Sequence, residues 1–258
     1  MFKKIKELYT YRQFLYTSVK KEFRGKYKKS FLGVLWSFIN PLLQLLVYAL
    51  VFPFILRVQE ENYIMFLFTA LIPWNFFSTT LSQSTSVIIS NSGILKKVYF
   101  PREILPISIV ISNAINFLIS CIIIFIALLI SGIGITKYIL LLPVILIVQS
   151  VVTLAFVFVF SSITVYIRDL EYFIAVILQL WMYVTPVLYS IELIPEKFAK
   201  LFYLNPMVQI INAYRNIFYY QAMPDMRALG IWFCIGIVGI IIGYMIFKKF
   251  EKRFAEEL

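Results

Sequence analysis

Histidine is absent from the 258 residues, cysteine occurs twice, and charged side chains make up only 14 % of the chain. Without imidazoles, and with carboxylates scattered instead of clustered, the usual zinc, di-iron and histidine acid/base sites lack their ligands. No catalytic residue and no metal ligand is therefore assigned to this chain. Cys121 and Cys234 both fall in apolar runs, where a thiol behaves as a small hydrophobe, so no disulfide framework is expected. A phosphate loop of the form Gly-x-x-x-x-Gly-Lys-Ser/Thr does not occur, which argues against ATP hydrolysis by that route. The apolar runs also lack central Asp, Glu, Lys or Arg, the residues that proton- and ion-coupled carriers use as relays. Anything this chain moves would need an external motor.

What the sequence has is hydrophobe: 61 % of residues are apolar and 18 % aromatic, far from the half-apolar, quarter-charged make-up of a soluble domain. A water-soluble enzyme and a disordered polymer are both excluded. A helix needs about 20 apolar residues to cross a hydrocarbon core about 30 Å thick. Six stretches qualify: Phe31 to Leu56, Tyr63 to Leu81, Leu105 to Ile130, Tyr138 to Ile167, Tyr172 to Ile191 and Leu229 to Phe247. The expected fold is an all-α integral membrane protein with six transmembrane helices. Met1-Phe2-Lys3-Lys4 has the look of a signal-peptide start, but no short apolar core with a small-residue cleavage site follows, so the mature chain is expected to begin here.

The 24 basic residues outnumber the 13 acidic ones, and they cluster at the ends of the apolar runs. That pattern fits membrane orientation and not nucleic-acid binding. With both termini cytoplasmic, 18 of the 24 Lys and Arg lie in inside segments, so the basic-residue bias predicts an N-in, C-in topology and an even number of spans. Ahead of the first run, Ile5, Leu8, Leu15, Val19 and Phe23 recur at helical spacing with lysines and arginines largely on other faces. This basic amphipathic helix is expected to lie on the membrane, where it either binds anionic lipid or contacts a cytoplasmic partner.

Three connections carry further signals. Ser90 to Arg102 is expected to form a short basic helix, capped by Ser90 or Asn91 and stopped by Pro101, which either transmits a push from a soluble partner or simply fixes topology. At Arg168-Asp169, Asp169 is placed to cap the fifth span while Arg168 snorkels to lipid phosphate, or the pair shapes an inner entrance for a charged lipid head. The segment of about 37 residues between the fifth and sixth spans is too long and too apolar for a simple connector. Within it Asn205-Pro206 is a good helix start, followed by Met207, Ile210, Ile211, Tyr214, Ile217 and Phe218 at helical spacing. Two short helices that dip into the outer leaflet and return are expected, broken at Leu204 to Pro206. They are a candidate gate, on which Arg215 is either an interfacial anchor or a phosphate contact.

Polar groups inside the spans are neutral: Gln44, Asn75, the Ser78 to Ser86 cluster, Asn113, Asn116, Gln149 and Gln179. Aromatics accompany them, including Trp36, Tyr48, Trp74, Phe77, Trp181 and Tyr183. Such a set suits a sugar chain, although interfacial belts and helix-stitching hydrogen bonds use the same residue types. Gly236, Gly239 and Gly243 form a small-residue stripe suited to close helix packing.

Several motifs recur in an order that points further: Lys26-Tyr27-Lys28-Lys29-Ser30-Phe31-Leu32-Gly33-Val34-Leu35-Trp36, Asn40-Pro41, Phe100-Pro101-Arg102, Arg168-Asp169-Leu170 and Asn205-Pro206. In this order and at these distances the chain resembles, over nearly its whole length, the membrane subunit of ABC-2 type polysaccharide exporters. The resemblance implies a homodimer in a bacterial inner membrane, bound to two copies of a cytoplasmic ATPase subunit that carries the ATP and Mg, with no cofactor in this chain. It implies a lipid-linked polysaccharide of O-antigen or capsule type as substrate, a teichoic acid being the alternative. Residues 1–30 would be the interface helix and 31–258 the six-span domain. Lys96, Lys97, Val98, Tyr99, Phe100 and Arg102 would contact the ATPase. Trp36, Tyr48, Trp74, Phe77, Gln179, Trp181 and Tyr183 would line the path. Asn205, Pro206, Tyr214 and Arg215 would form the outer gate, and Arg168 and Asp169 the inner entrance. From other classes, a passive channel or lipid scramblase would share the missing motor, whereas a membrane-bound polymer-synthesis enzyme would need a carboxylate cluster at the membrane surface.

Overall fold

The computed structural model describes residues 2–25, 31–56 and 62–257, and among them the regular elements are all helical. Residues 26–30, the basic half of the first motif, lie outside the described residues. Two short helices, α1 (Phe2–Thr10) and α2 (Arg12–Gly25), precede the apolar helices α3 (Trp36–Leu56) and α4 (Tyr63–Ser90). A single turn, α5 (Ser92–Leu95), leads to α6 (Ile104–Ile130) and α7 (Leu142–Ile163). After these come α8 (Leu170–Val184), the short α9 (Glu196–Tyr203), α10 (Pro206–Phe218), the long α11 (Met226–Glu251) and a last turn, α12 (Phe254–Glu257).

Four helical stretches, 63–90, 104–130, 137–163 and 226–251, are long and apolar enough to span a membrane, and α3 and α8 supply shorter apolar helices. Their outward faces match: Ile115, Leu118, Ile122, Ile126 and Leu129 of α6 are exposed one turn after another, as are Ile231, Ile235, Val238 and Ile242 of α11. Stripes of bare isoleucine and leucine this long belong against hydrocarbon. The protein is an integral membrane protein with an all-α fold.

The central element is α4. In its most apolar window 78 % of residues are buried, against 17 % for α11, so the other helices pack around it. It also outruns the expected boundary at Leu81 by nine residues. Its polar tail needs no water, because Thr80, Ser84 and Thr85 return their hydroxyls to the carbonyls of Phe76, Leu81 and Ser82. Pro73 interrupts the middle of the helix, and there the buried Gln149 of α7 donates to the Pro73 carbonyl at 2.8 Å, joining the two helices where the backbone is weakest.

The first span is helical only from Trp36, five residues later than expected. Ahead of it a short 3₁₀ turn over Gly33–Leu35 begins at Gly33, whose φ of +50° favours glycine. The fifth differs more. α8 ends at Val184 after 15 residues, about 22 Å at 1.5 Å per residue, where the sequence expectation ran to Ile191. Thr185 turns extended, at φ −99° and ψ 130°, because Pro186 disfavours helical geometry in the residue before it. α11 leans on α7 through the glycine stripe, where added Cβ atoms would meet α7 within 2.7 to 2.9 Å.

Both ends of the chain gather at one end of the bundle. Phe14 of α2 meets Phe100 with ring centroids 4.5 Å apart, and Lys21 donates to the Asn91 side chain at 2.5 Å. From the other terminus, Lys248 of α11 pairs with the buried Glu103 at 2.7 Å, and Tyr244 donates to the same carboxylate at 3.2 Å. Arg102 donates to the Glu251 carbonyl, and Phe254 is wholly buried against Phe247. The segment between α4 and α6 is thus tied to α2, α11 and α12 at once.

Candidate functional site

Three places draw together the residues that sequence singled out. The first is a cavity of about 410 Å³ between α3, α4 and α6. Amides dominate its wall: Asn40, Gln44, Asn75, Gln83, Asn113 and Asn116. They are held in pairs, Asn75 Nδ2 donating to Gln44 Oε1 at 2.9 Å and Asn113 Nδ2 to Gln83 Oε1 at 3.0 Å. Ser37 donates to Asn116 Oδ1 at 2.7 Å, fixing the start of α3 against α6. Trp36, Phe76 and Phe117 supply the apolar faces, and Thr79 and Ser120 add hydroxyls. Among the described residues, none that lines this cavity carries a charge.

Of the expected path residues, only Trp36 lines that cavity. Trp74, Phe77 and Trp181 instead form an interior aromatic knot with Phe156, with Phe77 at 5.2 Å from Trp181 and 5.7 Å from Trp74. Trp74 and Phe77 are buried among α4, α7 and α8, where they belong to the packed core of this chain. Tyr48 is half-buried and receives Gln44 Nε2 at 3.4 Å. Gln179 and Tyr183 lie on the exposed side of α8, away from the buried Ile174, Leu178 and Met182. Residue type alone does not separate a cavity wall from a packed core.

The second place is the break before α10. Asn205 takes Met207 N at 3.0 Å as an N-cap, and Pro206 follows at the first helical position, as the sequence indicated. The same carboxamide accepts Trp181 Nε1 at 3.1 Å and donates to Thr185 Oγ1 at 2.8 Å, so it also closes the end of α8. Asn205→Ala is expected to lower stability by about 2 kcal/mol, since both a cap and two hydrogen bonds between elements disappear. Thermal melting of the purified protein checks this, with Asn205→Asp intermediate because it keeps the acceptor.

Arg215, expected at an interface, is instead 1 % exposed. Its guanidinium donates to the carbonyls of Pro186 at 2.6 Å and Val187 at 2.8 Å, reaches Tyr189 O at 3.4 Å, and lies 3.7 Å from the Phe66 ring centre. The planar fork satisfies carbonyls that the early end of α8 releases. Buried this way, it is neither a surface anchor nor open to a phosphate. Tyr214 is likewise enclosed, 5.4 Å from Phe117 and stacked on Phe218. Sequence reading missed the Pro186 to Tyr189 carbonyl shell, although Thr185-Pro186 was its available signal.

The third place is the surface after α5. Lys96, Lys97, Val98 and Tyr99 stand exposed, with Tyr99 81 % so. Phe100 does not join them, because it is buried against Phe14 and supports the loop from below. Arg102 turns to the Glu251 carbonyl and stands 5.8 Å from the Phe254 ring. The expected helix from Ser90 to Arg102 shrinks to one turn. Asn91 does not cap it with its side chain, whose amide is spent on the Val87 carbonyl at 2.8 Å. Arg168 and Asp169 are exposed at the turn into α8, where Asp169 occupies the cap position but only its backbone carbonyl takes part, receiving Phe173 N at 3.1 Å.

Long apolar helices with an amide-lined cavity among them, a basic platform at one end and a side-chain-latched backbone turn at the other define a polytopic membrane protein of transporter type. The sequence profile described as ABC-2 type transporter matches residues 13–219, and the chain belongs to that family. It is 35 % identical over 260 residues, all of both chains, to the O-antigen export system permease protein RfbA of Myxococcus xanthus. The protein of the same name from Klebsiella pneumoniae is 35 % identical across 92 % of each chain. The polysialic acid transport protein KpsM of Escherichia coli is 29 % identical over 37 % of this chain and 36 % of its own.

Proposed function

We propose that this chain is the transmembrane subunit of an ATP-driven ABC exporter. It moves a lipid-linked polysaccharide of O-antigen or capsule type from the cytoplasmic to the outer face of a bacterial inner membrane. The observation that carries this reading is the end-to-end similarity to proteins named as O-antigen export permeases. The amide-rich cavity, uncharged among the described residues, supports it. In this reading the chain works as a homodimer with both termini cytoplasmic, each copy engaged by one ATPase subunit that binds ATP and Mg. The exposed Lys96 to Tyr99 surface is the dock, and its ties to α2, α11 and α12 carry the ATPase stroke into α6.

Pull-down of the tagged chain from its native membrane tests the reading. An ATPase recovered in equal amount is the expected result, whereas its reproducible absence with the chain folded would favour a channel or scramblase. Charge reversal at both Lys96 and Lys97 is expected to lower ATPase recovery by about tenfold while leaving the melting temperature unchanged, since both side chains are exposed. Depletion of the protein, followed by asking which cell-envelope polymer vanishes, separates O-antigen or capsule from teichoic acid.

A further inference from the structure

We propose that the cavity between α3, α4 and α6 is a binding site for an uncharged oligosaccharide segment, and that its lining selects against acidic sugars. The inference rests on the exporter reading and adds a specificity to it. Its volume of about 410 Å³ lies within the roughly 300–1,000 Å³ typical of ligand sites and accommodates a short run of sugar rings. Asn40, Gln44, Asn75, Gln83, Asn113 and Asn116 offer both donors and acceptors, the combination that sugar hydroxyls need from a partner. Trp36, Phe76 and Phe117 provide flat apolar faces for the C–H side of a pyranose ring.

The amides are already ordered by one another. In the Asn75–Gln44 and Asn113–Gln83 pairs one amide donates to the other's carbonyl oxygen, and Gln44 also donates to Tyr48 Oη at 3.4 Å, so these side chains are held in place at the cavity wall. Preorganised groups of this kind cost little to order when a ligand arrives.

Charge decides the selectivity. Among the described residues the lining contains neither Lys nor Arg, so a carboxylate or phosphate entering it would give up water without gaining a counter-charge from them. A neutral sugar gives up only hydroxyl hydration, which the amides replace. A position on the rim makes this testable: Thr79 lines the cavity and is exposed, so a lysine there brings a cation to the site without burying it in the core.

The experiment is saturation-transfer NMR on the full chain, purified in lipid nanodiscs with whatever subunit accompanies it. The probes are maltotriose as a neutral trisaccharide and the α2,8-linked trimer of N-acetylneuraminic acid as an acidic one. Saturable maltotriose binding is expected, with no saturable signal from the acidic trimer. Asn75→Leu should weaken maltotriose binding at least about fivefold. Thr79→Lys should admit the acidic trimer. Each variant is used only if its melting temperature matches the parent protein. A folded protein with no saturable maltotriose binding, equal binding of both trimers by the parent protein, or an unaltered Asn75→Leu overturns the proposal. ATPase recovery and polymer export read the exporter function separately. Export with an ATPase bound but no cavity binding sinks this inference alone, and cavity binding without any ATPase sinks the exporter reading alone.

Discussion

Arg215→Ala is expected to cost on the order of 3–5 kcal/mol and to leave little folded protein in detergent. The substitution strands the carbonyls of Pro186 and Val187 at a depth where water does not replace the lost donors. It also removes the cation over Phe66 and opens a void the size of an arginine beside Tyr214. The neighbouring bonds do not compensate: Tyr63 Oη is committed to Leu188 O at 2.8 Å, and Tyr189 Oη to Tyr183 O at 2.8 Å. Arg215→Lys keeps the charge but loses the fork, so a single ammonium must choose among carbonyls that point differently. It should recover roughly half of the loss. Size-exclusion profiles after graded heating rank the three proteins, and a melting curve for Arg215→Ala equal to that of the parent protein would show that the latch carries no stability.

The same residue illustrates what a sequence reveals and what it hides. Six apolar runs were legible because hydrocarbon imposes a length on them. The start of α10 was legible because Asn-Pro is a local signal with a local mechanism. The end of α8 was not, since Val187, Leu188 and Tyr189 stay as apolar as the helix before them. Hydropathy does not distinguish a helix from a coil whose carbonyls are bonded by distant side chains. An arginine 29 residues away from Pro186 supplies that bond, and the separation leaves no periodic trace. The aromatic residues expected along the path are a related case. Trp74, Phe77 and Trp181 met the chemical description of a sugar-facing wall, but they pack on one another and on Phe156. The amides Gln44, Asn75, Asn113 and Asn116, grouped in the sequence with those aromatics as a set suited to a sugar chain, border the open volume between α3, α4 and α6.

The glycine stripe of α11 yields the other large effect. A Cβ at Gly243 would sit 2.7 Å from the backbone oxygen of Ala155, and a backbone oxygen inside α7 has nowhere to move unless the helices separate. Gly243→Ala is therefore expected to destabilise by about 3 kcal/mol, and Gly243→Ile by more. At Gly236 the nearest contact, 2.8 Å away, is a methyl of Val151, which can rotate, so Gly236→Ala should cost less. Gly230 meets nothing within 4 Å, and Gly230→Ala should leave stability unchanged or raise it by up to about 1 kcal/mol through helix propensity. The consequence reaches beyond stability. Phe247 and Lys248, about one turn past Gly243, hold Phe158 at 5.6 Å between rings and Glu103 at 2.7 Å. Prising α11 from α7 draws that pair away from the loop after α5, the surface that Lys96 and Lys97 present. Melting temperatures should therefore fall in the order Gly230→Ala, Gly236→Ala, Gly243→Ala. Protease cleavage at Lys96 and Lys97 should speed up only in the last of these, and equal melting temperatures for Gly230→Ala and Gly243→Ala would refute the close contact between α7 and α11.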